Sequence, residues 1–118
     1  MLVHLERLRP AGPGPPLAEV RTPYGPARAR WRGDPAAPPG PYRVEWTVDE
    51  EHATVRPAPA SAPAVRTEGG ILLLTGEFDG AGELRTGDSL IALDLAAPPG
   101  WIEVAVPCTH AELYPYDL

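Results

Sequence analysis

At 118 residues the chain is long enough to bury one domain core without a disulfide or metal staple. All ten basic residues are Arg, and Lys, Asn and Gln are absent. A Schiff-base lysine, a phosphate-loop lysine, N-glycosylation and amide readout of adenine are therefore excluded, and a net charge of −6 disfavours nucleic acid.

Taken in chain order, "LVHLERL" (2–8) reads as a strand or a single helical turn. "LAEVRT" (17–22) and "ARARWR" (27–32) read as strands separated by the turn "PYGP" (23–26). The clearest alternation is "YRVEWTV" (42–48), with Tyr42, Val44, Trp46 and Val48 on one face and Arg43, Glu45 and Thr47 on the other. "DEE" (49–51) is a polar turn, after which "HATVR" (52–56) is expected to return as the hairpin partner of 42–48. Proline-rich "PAPASAP" (57–63) must be an extended surface connection.

"GGILLLTGEF" (69–78) is apolar on both faces and so predicts a central strand, with Gly76 marking a bulge or sharp coil. "DGAG" (79–82) turns the chain, and "ELRTGDSLIALDL" (83–95) resumes it around a bend at Gly87 and Asp88. After "PPG" (98–100), "WIEVAV" (101–106) directs Ile102, Val104 and Val106 inward and Trp101, Glu103 and Ala105 outward. "AELYPY" (111–116) is a short last strand.

Seventeen prolines interrupt almost every window of helical length, and the longest interval without one, 64–97, holds six glycines. The expected fold is all-β: a single small antiparallel barrel or sandwich over 1–118 with little or no helix. Residues 41–118 are expected to form the main β core, with N-terminal strands and Pro-rich loops over 1–40. In rhythm, 69–116 resembles an oligonucleotide/oligosaccharide-binding (OB) barrel, with a coiled first strand, a hairpin and a closing strand. "MLVHLERLRP" carries no secretory pattern, and "ILLL" (71–74) is far short of a membrane span, so a cytoplasmic protein is expected. The all-Arg basic set reads as the codon bias of a GC-rich, bacterial genome.

Few residues suggest chemistry. Cys108, the only cysteine, lies two positions before His110, which on a strand gives half of a zinc ligand set. The remaining ligands would have to come from His4, His52 or acids. No CxxC, HxH or HExxH spacing supports this, and strand-edge packing is the simpler expectation. In "ARARWR", Arg28, Arg30 and Arg32 share a face while Ala27, Ala29 and Trp31 share the other. Such a row can grip phosphate or carboxylate, with Trp31 as the neighbouring aromatic. The competing reading is a solvated stripe that neutralises acids. "DEEH" (49–52) groups carboxylates with an imidazole, yet adjacent turn residues usually point apart into water. No GxSxG elbow surrounds Ser89, and "RGD" (32–34) is read as a chance match.

Charge is uneven: residues 1–46 hold seven Arg and four acids, whereas 47–118 hold three Arg and twelve acids. The expected function is a non-catalytic acidic β-domain acting as a protein-interaction or regulatory module, with no cofactor. Its partner would be a basic protein or a second copy of the chain, reached through the tail "ELYPYDL". The alternative is a barrel that binds a small anionic ligand, or an enzyme accessory subunit, using Arg28, Arg30 and Arg32.

Overall fold

The structure is a computed structural model that describes residues 1–116. Eleven strands follow in order: β1 (Leu2–Arg9), β2 (Leu17–Thr22), β3 (Gly25–Trp31), β4 (Gly40–Val48), β5 (Thr54–Pro57) and β6 (Ala64–Glu68), then β7 (Ile71–Phe78), β8 (Glu83–Thr86), β9 (Ser89–Ala92), β10 (Gly100–Pro107) and β11 (Ala111–Tyr116). Among the described residues the only helical elements are two 3-10 turns, Glu50–His52 and Cys108–His110. Among the described residues no helix is long and apolar enough to cross a membrane.

Alternation decides which way each strand faces. Val3 and Leu5 of β1, Ala27, Ala29 and Trp31 of β3, and Val44, Trp46 and Val48 of β4 are buried, with polar neighbours between them outside. These strands close a barrel in the order β1-β2-β3-β11-β4, and β4 returns to β1 through pairs running from Leu2↔Arg43 to Leu5↔Gly40. β11 runs antiparallel to β4 and parallel to β3, the latter at Glu112↔Arg30 and Leu113↔Trp31.

The remaining strands form a second sheet in the order β5-β10-β7-β8-β9, with β6 also paired to β7. The inner face of β10 (Ile102, Val104, Val106) and Leu72, Leu74, Phe78, Leu84 and Ile91 join the barrel interior in one continuous core. The β2–β3 hairpin tip ties the two parts together. There the Tyr24 carbonyl accepts from the Val65 amide at 3.2 Å, and the Tyr24 ring lies against Gly87, where a Cβ would collide with it.

Three expectations are corrected. The barrel does not lie over 69–116: its strands come from 1–48 with only β11 added, and 69–107 build the second sheet. β5 is not the hairpin partner of β4. Asp49 caps the 3-10 turn through Glu51 N–H, the chain leaves the barrel, and β5 pairs with β10 from Thr54↔Ala105 to Pro57↔Ile102. Finally, the last strand is no free tail, because β11 is hydrogen-bonded between β3 and β4.

Gly76 marks a close approach rather than a bulge, since β7 keeps an unbroken register with β10 from Ile71 to Phe78. On the other edge, β7 pairs with β6 up to Thr75 and with β8 from Glu77 onward. At the changeover a Cβ on Gly76 would run into the Arg85 carbonyl and the Thr86 hydroxyl.

Candidate functional site

The arginine row sits on the outer face of β3 as the alternation requires, but its members are engaged differently. Arg30 Nη1 donates to the carbonyls of Ala11 (2.8 Å) and Pro15 (2.6 Å), and its Nε to that of Thr109 (3.4 Å). It fastens the proline-rich β1–β2 loop and the turn before β11 to the barrel wall. Arg32 pairs with Glu112 at 3.2 Å and lies 5.7 Å from the centroid of the Tyr114 ring. Within the row, Arg28 alone has neither a hydrogen-bond nor an ion-pair partner for its guanidinium among the described residues.

Trp31 is separated from this row. It is buried in the barrel, edge-on to Tyr42 at 5.2 Å, with its indole N–H donating to the Asp34 carbonyl at 3.1 Å. The aromatic beside a guanidinium is Tyr114, and Trp31, Arg32 and Tyr114 line an open cleft of about 410 Å³ with Pro15, Pro16 and Pro35.

The second sheet holds its own ionic cluster. Glu103 faces outward on β10, as the alternation implies, yet it is only 1% exposed. Arg56 on β5 and Arg66 on β6 lie over it, Arg56 Nε at 2.6 Å from Oε1 and Arg66 Nη2 at 3.8 Å from Oε2. A buried carboxylate of this kind is tolerated because it is paired.

At the far end of this sheet, Glu77, Asp79 and Glu83 surround a cleft of about 390 Å³ with Arg85, Pro99 and Gly100. Asp79 Oδ1 accepts from the amides of Ala81 (2.7 Å) and Glu83 (3.0 Å), which closes the "DGAG" turn. Those amides hold its carboxyl below the ordinary value.

A third cluster gathers residues that are distant in sequence. β4 and β11 pair at Val48↔Ala111, so the 3-10 turns flanking that pair lie side by side, joined by Asp49 N–H donating to the His110 carbonyl at 3.0 Å. Asp49 Oδ2 is 2.9 Å from His52 Nδ1 and 3.4 Å from His110 Nδ1, and the two imidazoles stack with centroids 3.8 Å apart. Partial desolvation raises the Asp49 carboxyl, but hydrogen bonds from His52, the Glu51 amide and His110 outweigh it and leave the group below its ordinary value.

Cys108 takes no part in this cluster. It is buried in the core as a small apolar residue, with its amide donating to the Gly70 carbonyl at 2.9 Å. Of the sequence candidates, His110 is brought together with part of "DEEH", a junction across 61 residues that no local spacing encodes. Cys108 and His110 do not share a strand face: both lie in the second 3-10 turn, where Cys108 is buried and His110 stacks on His52.

No protein-family model, curated protein or solved structure matches this chain.

Proposed function

We propose that the chain is a non-catalytic acidic β-domain, an interaction or regulatory module whose second sheet receives a basic protein partner. What carries the reading is the contrast between arginines that are mostly engaged and a group of acids that have no ion-pair partner among the described residues. Arg30 is bonded to loop carbonyls, Arg32 is paired with Glu112, and Arg56 and Arg66 lie over Glu103. Glu77, Asp79 and Glu83 are instead exposed around one cleft, with Arg85 as its only cation. Carboxylates in an open groove walled by proline suit an incoming Arg or Lys side chain, whose stem packs on Pro99 while its head meets the acids.

The anion-binding alternative has less support, because two of the three guanidiniums in the row already have partners. We further read the barrel as OB-like and the protein as cytoplasmic and bacterial. The closed five-strand path with a parallel β3–β11 pair favours the first of these, on residues 1–48 and 111–116.

Calorimetric titration of the whole chain with an arginine-rich peptide tests the function. Binding is expected to weaken at least about tenfold in the E77Q/E83Q double variant, since two close charge pairs are lost. Absence of binding, or an unchanged affinity in that variant, overturns the reading.

A further inference from the structure

The trio at the junction of β4 and β11 has a use that the interaction surface does not absorb. We propose that Asp49, His52 and His110 form a site for one divalent d-block cation of the zinc type, with water completing the coordination.

The donor set comes first. Two imidazole nitrogens and one carboxylate oxygen are the ligands that zinc and its neighbours take, and three protein ligands with an open position make a site that exchanges water. The three candidate ligand atoms lie within 4.8 Å of one another. Ligand atoms about 2.0–2.1 Å from a tetrahedral ion lie about 3.3–3.4 Å apart. The carboxylate oxygen already stands 2.9 and 3.4 Å from the two nitrogens, so reorientation of the two rings is what brings all three onto one centre.

The backbone is arranged in advance. Asp49 Oδ1 accepts from Glu51 N–H at 3.2 Å, which leaves Oδ2 for the cation. The Asp49 carbonyl accepts from His52 N–H at 3.1 Å, and the Asp49 amide holds the His110 turn. The stacked rings must splay so that their Nδ1 lone pairs converge. Both side chains have room for this, His52 being 47% and His110 38% exposed. A bound cation takes the lone pair of each Nδ1, which leaves Nε2 as the ring position that carries a proton. The Asp49 carboxylate is anionic at neutral pH and offsets part of the cation's charge.

The test uses the full chain without an affinity tag, stripped with chelator and titrated with Co²⁺. One equivalent should produce a saturable d–d absorption band that Zn²⁺ displaces. H52Q, on an exposed turn, and D49N should each weaken binding by more than about 100-fold with unchanged circular dichroism, whereas H4A should bind as the parent does. Absence of a saturable band at millimolar Co²⁺ overturns the proposal, as does H52Q binding as tightly as the parent.

Discussion

The barrel and the second sheet apply the same every-other-residue rule and arrive at different surfaces. Residues 1–48 and 111–118 carry seven Arg against six acids, close to neutral, whereas 49–110 carry three Arg against ten acids. On the barrel the charges meet locally: Arg7 and Arg9 both reach Glu19, Arg21 approaches Glu6 at 3.7 Å, and Arg32 pairs with Glu112. In the second sheet the Arg56 and Arg66 guanidiniums lie over one buried carboxylate, which leaves Glu77, Asp79 and Glu83 to face solvent. The difference teaches that a formal charge of −6 is no uniform veneer. A self-neutralising scaffold carries an acidic sheet.

The strongest way to break the comparison is to show that its two halves are separate bodies. Leu113 of the barrel and Leu74 of the second sheet are both fully buried in the same core. L113A and L74A should each cost about 2–5 kcal/mol, the range for a buried leucine. Each variant should melt in a single transition by calorimetry. Two resolved transitions, with only one displaced by each variant, would divide the molecule.

A smaller effect sharpens the account of the second sheet. Replacing both guanidiniums in R56M/R66M keeps apolar side chains over Glu103 and leaves its carboxylate buried and unpaired. With the half-exposed arginines discounted for solvent screening, the expected loss is about 2–3 kcal/mol in urea unfolding. Adding E103M should recover most of it. No recovery would mean that packing of the arginine stems, rather than charge burial, supplies the stability.

The smallest effect separates neighbours on one strand. R30A gives up hydrogen bonds to two loop carbonyls and should lose about 1–3 kcal/mol. R28A, whose guanidinium is exposed, should stay within about 0.5 kcal/mol of the parent. Equal losses would return the arginine row to a single shared role.

What the sequence made legible was facing. In 27–32, 42–48 and 101–106 the period of two separates inside from outside within a few residues, and the structure follows it except at the buried Glu103. Pairing was not legible. β5 follows β4 at once, so a hairpin is the economical expectation, but the turn capped by Asp49 sends β5 to β10 instead. The place of β11 between β3 and β4 depends on contacts some 80 residues apart, such as Leu113↔Trp31, and those leave no local signature. The cluster of Asp49, His52 and His110 was hidden for the same reason. Glu103 was hidden for another: alternation puts it outside, yet it is buried, with Arg56 and Arg66 from two other strands paired to it.

The central claim, that acids rather than arginines form the receptive surface, is tested most directly by one paired titration at low salt. The chain is titrated with an arginine-rich peptide and, separately, with a polyphosphate of matched length. The account predicts saturable peptide binding that fades as salt rises and no binding of the polyanion. Saturable polyphosphate binding that R28A/R32A abolishes, with the peptide silent, would contradict it.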